Sequence, residues 1–319
     1  MNPLDNEEFY LTTLDNGWTV GRFHALDGVE GVAHAVTTKR SLDVQLVRTN
    51  HAAAAAQLAG ALGWNDVAFV NQVHGGVVLP VESGGMAASF ASLGEPVGAA
   101  VVTPPSPLGG GLGCLTTPDT PKKTWGCHKP DADGLVTDRA GLGLMTRGAD
   151  CPLILAVDPV RRVIGTAHAS WRGTACQIAA ELVRQMAAKG AAADRVVACI
   201  CPSAGPCCYE VGPDVLEAMT QKVGPHVVEF FRERPEKRGQ TLDLWSANRD
   251  QLLRAGLREK NVHISGICTM CANEIFPSHR REGAAAGRFA AVIGLGSLPD
   301  ACGTTRPLPS GRGSPKGQF

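Results

Sequence analysis

Apolar residues along this chain fall into short runs broken by Gly, Pro and Asp, with a few longer stretches at helical spacing. Residues 152–157 form an unbroken apolar run, Asp158 and Pro159 mark a turn, and 162–167 is a second run of strand character. The midpoint of positions 151 and 168 falls between Pro159 and Val160. Antiparallel pairing about that centre makes Cys151 and His168 cross-strand neighbours, with Cβ atoms about 4.5 to 5.5 Å apart. Residues 67–73 read as a strand that delivers His74 at its end.

Asn50 caps a helix through 52–59 that Gly63 ends, and Ser170 caps an amphipathic helix over 171–189 that Gly190 stops. Further helices are expected at 213–221, with Pro213 in the first turn, and at 242–255. Strands are expected at 131–137, 196–201, 262–267 and 289–295. The Gly- and Pro-rich stretch 84–129 reads as an irregular insertion around one strand at 97–103. The Pro, Gly, Ser and charged residues of 306–319 predict a disordered tail. Interleaved strands and helices with hairpins present predict an α/β fold, a single layered α/β/α domain with a mixed sheet over residues 1–305.

Thirty basic and thirty acidic side chains cancel, so no global field draws nucleic acid or an anionic membrane. No stretch approaches the roughly 18 to 20 apolar residues of a membrane span. The acidic, polar start of the chain is unlike a secretory signal, and a cytoplasmic location is expected. Eleven cysteines, an odd number without the density of a disulfide scaffold, are expected to be mostly reduced thiols with one or a few on metal. Nothing has the heptad pattern of a coiled coil, so a monomer is expected.

A lone buried Cys is most often a small hydrophobe, and a lone His a satisfied strand-end residue. Cys151 and His168 meeting at the end of one hairpin, beside Ser170, Trp171 and Arg172, shift that balance. With His74 they make two nitrogens and a sulfur with room for a fourth, non-protein ligand, the pattern of a catalytic zinc site. Copper accepts the same donors and is the weaker choice. The other reading is a metal-free nucleophile, Cys151 activated by His168.

Cys268 and Cys271 have zinc-knuckle or redox spacing but lack a second matching pair nearby. Cys207, Cys208, Cys199 and Cys201 are expected in core or strand positions, and Cys127 with His128 sits in the loose insertion. Asp131 reads as a turn residue. Asp150 points away from Cys151 and is expected to anchor a neighbouring loop. His279, Arg280, Arg281 and Arg288 gather cations near the C-terminus. They form either a solvated basic turn or a grip for phosphate or carboxylate.

These pieces, taken in order, resemble the laccase-domain family, also called the multicopper polyphenol oxidase or YfiH-type family. The matching residues are Gln72, Val73, His74 and Gly75; Asp131 to Thr137; Ala149 to Pro152; Ala167 to Gly173; Gly205 and Pro206 with Tyr209 to Gly212; and Phe276 to Arg281 with Gly287 and Arg288. The resemblance implies one zinc ion on His74, Cys151 and His168. It implies a purine nucleoside phosphorylase, acting on adenosine, inosine, guanosine and methylthioadenosine with phosphate, that also deaminates adenosine. Some bacterial members are linked instead to peptidoglycan editing, and a single His, Cys, His site is too small for multicopper oxidation. On this reading the zinc ion activates water for attack on C6 of adenine. Arg281 or Arg288 neutralises phosphate, Asp133 is the general acid or base, and Arg172 positions the ligands, with His279 also at the site. The segment 37–42 is shorter than the family's early loop, the 84–129 insertion is longer, and His279 replaces an aromatic, so substrate preference is the open question.

Overall fold

A computed structural model describes residues 4–82, 130–234 and 239–296. The insertion at 84–129, its strand at 97–103, Cys127 with His128, and the tail at 306–319 lie outside the described residues.

With strands numbered in chain order, one six-stranded sheet runs β1 (Phe9–Thr13), β2 (Thr19–Phe23), β3 (Val32–Thr37), β15 (Phe289–Leu295), β7 (Leu142–Gly148) and β4 (Asp66–Ala68). A second runs β14 (Val262–Ile264), β10 (Val197–Ile200), β8 (Leu153–Asp158), β9 (Val163–His168), β6 (Gly134–Thr137) and β5 (Val78–Pro80). Both are mixed. β4 is parallel to β7, β5 to β6 and β14 to β10, while the other pairs are antiparallel. A small third sheet orders β11 (Glu210–Val211), β13 (Gly239–Leu242) and β12 (Phe231–Arg234). The helices are α1 (His24–Asp27), α2 (Val44–Thr49), α3 (His51–Leu62), α4 (Trp171–Ala175), α5 (Ile178–Ala188), α6 (Pro213–Val223), α7 (Leu244–Arg254) and α8 (His279–Glu282). Among the described residues no helix is long and apolar enough to cross a membrane.

The α/β class with mixed sheets is as expected, and the layering goes one step further. The two large sheets pack face to face, with Leu144, Phe289 and Ile293 of one against Leu135, Leu153, Leu155 and Ile164 of the other. α3 covers the outside of the first sheet through Ala54, Leu58 and Leu62, and α5 and α7 cover the second through Ile178, Leu182, Met186 and Leu252. The order is therefore α/β/β/α. Every residue of β7, β8, β9 and β15 is buried, because each strand has a covered face on both sides. That explains why 152–157 is a continuous apolar run and not an alternating one.

Two local expectations are corrected. The hairpin of β8 and β9 closes with Asp158 opposite Val163, which places Leu153, not Cys151, opposite His168. Its loop is longer than a tight turn. Asp158 Oδ1 accepts the N–H groups of Val160 and Arg161 at 2.9 and 3.1 Å, and Arg162 takes the left-handed conformation at φ 53°. The register shift is two residues, so side chains keep their faces. Cys151 instead occupies the chain just beyond the ladder, where Ala169 N–H donates to Pro152 O at 2.8 Å.

The helix expected over 171–189 is two helices. Ser170 caps α4 through its Oγ, as expected, but Gln177 adopts φ 58° and separates α4 from α5. α5 can then lie along the sheet while α4 stays beside the turn that carries His74.

Candidate metal centre

His74, Cys151 and His168 come from three segments that only the fold unites. His168 is the last residue of β9 and is buried; Cys151 precedes β8 and is half-buried; His74 is exposed in a turn after β4. One donor atom from each lies within 4.8 Å of the others. The two imidazoles meet edge to face, with ring centroids 4.9 Å apart. A cation with nitrogens at about 2.0–2.1 Å and a sulfur at about 2.3 Å fits such a triangle and leaves one side open.

Asp133 holds this triangle. Its carboxylate is buried, and Oδ1 accepts from His168 Nδ1 at 2.8 Å and from the His74 N–H at 3.0 Å. Oδ2 accepts the N–H groups of Gly75 at 2.6 Å and Val73 at 3.3 Å. Because a carboxylate only accepts, Nδ1 of His168 carries the proton and Nε2 is left to face a cation. The same carboxylate fixes the strained turn in which His74 takes φ 61°, a conformation non-glycine residues rarely adopt.

Small residues let the turn reach the hairpin. A Cβ on Gly76 would stand 2.7 Å from Cys176 Cβ and 3.0 Å from Cys176 O, and one on Gly173 would stand 3.0 Å from Gly75 O. The break between α4 and α5 therefore faces the His74 turn directly.

In the metal-free donor set Cys151 and His168 form an ion pair. Burial alone would raise the Cys151 thiol, but the neighbouring charge of His168 and hydrogen bonds from His168 and His74 pull it below the usual range. Burial would lower His168, yet the Cys151 charge and the Asp133 hydrogen bond push it up. The pair thus favours a thiolate, the form that ligates metal or attacks an electrophile.

The expected loop anchor at Asp150 is present. Asp150 stands at φ 85°; its Oδ1 accepts from Thr269 Oγ1 and its Oδ2 from the Arg280 N–H, each at 2.7 Å. This ties the basic segment to the residue next to Cys151. In that segment His279 opens α8, and His279, Arg280 and Arg281 are exposed. Arg281 Nε donates to Met270 O at 3.1 Å, and the Arg280 guanidinium lies over the Tyr209 ring at 4.8 Å. Arg288 is half-buried and feels the charges of Cys151 and Asp150. Arg172 is exposed and stacks on Trp171 at 4.4 Å.

Two features escaped the sequence reading. Arg147, on β7, is buried, and its Nη1 has no hydrogen-bond partner. Burial and the nearby Arg288 charge lower its pKa to about 10, against the pull of Asp133. An arginine at the end of a mostly apolar run was the available signal. The second is a correction. Cys268 and Cys271, expected to lack a partner pair, face Cys207 and Cys208, expected in core positions; the four sulfurs lie within 4.8 Å of one another.

The chain is similar over about half its length to enzymes named for purine chemistry. It is 42% identical over 168 residues to the purine nucleoside phosphorylase YlmD of Geobacillus stearothermophilus, covering 52% of this chain and 60% of that protein. It is 36% identical over 156 residues to the adenosine deaminase RL5 of an unknown prokaryotic organism, covering 49% of this chain and 59% of that one. These alignments span less than two thirds of either relative. Among solved structures, YfiH of Bacillus licheniformis superimposes with a TM-score of 0.65 at 26% identity, covering 92% of this chain and all of that one. YlmD of Geobacillus stearothermophilus superimposes with a TM-score of 0.63 at 30% identity, covering 84% of this chain and 93% of that one. The profile described as multi-copper polyphenol oxidoreductase laccase matches residues 35–296, and the chain belongs to that family.

Proposed function

We propose that this protein is a zinc-dependent purine nucleoside phosphorylase with adenosine deaminase activity. The observation that carries the reading is the Asp133-held triangle of His74, Cys151 and His168 next to an arginine-rich segment tied to it through Asp150. The names of YlmD and RL5 support the substrate class. Two nitrogens and one thiolate suit zinc, which supplies Lewis acidity at the open side when bound.

In phosphorolysis the C1′–N9 bond of the nucleoside breaks and a phosphate oxygen bonds to C1′, so the purine leaves with the bonding pair and takes a proton. Arg281 and Arg288 hold the phosphate dianion, and Arg147, which feels the Arg288 charge, adds to the positive potential. Asp133 is a positioning residue on this reading, not the acid or base, since its oxygens are already accepting four donors. The exposed His279 imidazole, at the start of α8, is assigned the proton transfer to the purine. Arg172 stiffens the start of α4, next to His168, through its stack on Trp171.

Product analysis of inosine and adenosine with and without phosphate tests the reading. Hypoxanthine release from inosine only with phosphate, and inosine from adenosine without it, are expected. Inertness towards nucleosides with turnover of peptidoglycan precursors would overturn it. The thiolate-favouring Cys151 and His168 pair supports a second reading, a cysteine hydrolase. Under that reading activity survives chelation and is abolished by alkylating Cys151; under the zinc reading chelation abolishes it.

A further inference from the structure

We propose that Cys207, Cys208, Cys268 and Cys271 form a second metal site, a structural tetrathiolate centre for one zinc ion, separate from the His74, Cys151 and His168 triangle. The four sulfurs lie within 4.8 Å of one another. Cys207 and Cys208 sulfurs stand 3.8 and 3.5 Å from that of Cys271. A tetrahedron with Zn–S bonds of about 2.3 Å has edges of about 3.8 Å, so little movement closes the set around an ion. Four protein ligands fill the coordination sphere, which is the structural pattern and not the catalytic one.

The backbone is already built as a thiolate cradle. The Gly205 N–H donates to Cys268 Sγ at 3.3 Å, and the N–H groups of Met270 and Cys271 are also directed at that sulfur. Cys271 N–H additionally reaches Cys268 O at 3.1 Å, and Ala272 N–H reaches the same oxygen at 2.8 Å, closing the turn. Three backbone N–H donors thus converge on the Cys268 sulfur, as they would on a bound thiolate. Four thiolates around a divalent ion leave two negative charges. Arg280 and Arg281 line the same cavity as Cys207 and Cys208 and offset them, while Arg234 there is paired with Glu210 at 3.6 Å.

The site joins two loops that frame the proposed substrate side. Tyr209, directly after Cys208, carries the Arg280 stack, while Thr269 and Met270, between Cys268 and Cys271, bond Asp150 and Arg281. An ion at the four sulfurs thus clamps the arginine segment against the chain beside Cys151.

Elemental analysis of the full chain, purified reduced and without chelator, tests this. About two zinc ions per chain are expected in the unmutated protein, about one in Cys268→Ser/Cys271→Ser and about one in His74→Ala/His168→Ala. In the last variant, X-ray absorption should show four sulfur neighbours at about 2.3 Å. Equal zinc in the unmutated and cysteine-substituted proteins overturns the site, and iron in place of zinc overturns the metal. Should the cysteine variant fail to fold, peptide mapping of the unmutated protein decides. Cys207 and Cys271, though exposed, should resist iodoacetamide until a chelator is added. Immediate alkylation, or a disulfide among the four, overturns the proposal. A failure of the nucleoside assay leaves these readouts untouched.

Discussion

Asp133 Oδ1 accepts the Nδ1 proton of His168 at 2.8 Å, so one buried carboxylate sets the tautomer of a donor on the neighbouring strand. Asp133→Asn should weaken metal binding by about 10- to 100-fold, because an amide orients the imidazole less well and lowers its basicity. It should also cost about 1–3 kcal/mol of stability, since the backbone donors of Val73, His74 and Gly75 lose a charged acceptor. Competition with a chromophoric chelator measures the first effect and urea unfolding the second. Unchanged affinity would show that Asp133 does not orient the ligand.

Gly76 is where the His74 turn meets the junction of α4 and α5. Gly76→Ala places a methyl 2.7 Å from Cys176 Cβ and 3.0 Å from its carbonyl oxygen, and neither atom is the end of a flexible side chain. The turn must move away, costing about 1–3 kcal/mol and drawing His74 off the other two donors. Thermal unfolding with and without added zinc checks this: the zinc-induced rise in Tm should shrink in the variant. A full zinc response would mean that the turn tolerates the methyl.

What the sequence made legible here depended on how local the determinant was. Ser170, Asn50 and Pro213 mark helix starts because each cap is settled within a few residues, and α3, α4 and α6 begin where those residues stand. The strand at 289–295 was legible because burial on both faces leaves it unbroken by polar residues. β7 was missed, because Thr146 and Arg147 disguise a strand whose polar groups are satisfied or used inside the fold. The hairpin register was off by two because Asp158 organises a longer loop through its own side chain. Cys207 and Cys268 are 61 residues apart with no local pattern in common, and only the packing of two loops brings them together.

If phosphate is held by the arginine segment, its loss should be felt in one substrate and not the other. Arg288→Ala and Arg281→Ala should each raise the KM for phosphate by about 10- to 100-fold, the value of a charge-assisted hydrogen bond. Phosphate-independent deamination of adenosine should change little. Steady-state kinetics with phosphate varied at saturating inosine, alongside adenosine turnover without phosphate, separate the two. Equal losses in both reactions would place these arginines on the nucleoside or on the fold.

Asp158 closes the hairpin that carries Cys151 and His168, and it should give that hairpin a pH dependence. It is buried and accepts from Val160, Arg161 and Ala192 backbone N–H groups and from the Arg195 guanidinium. Burial would raise its pKa, but the Arg195 bond and the three backbone donors hold it below the ordinary carboxylate value. The folded state therefore binds this proton less readily than the unfolded chain, whose value is about 3.9. Its stabilisation is fully present above that pH and is lost as the pH falls through the lower folded value. Asp158→Asn should cost about 1–3 kcal/mol at pH 7, where donors lose a charged acceptor, and progressively less below pH 4. Urea unfolding of both proteins at pH 7, 5 and 3 measures the gap. A gap that stays constant across this range would assign the effect to loop geometry and not to the charge.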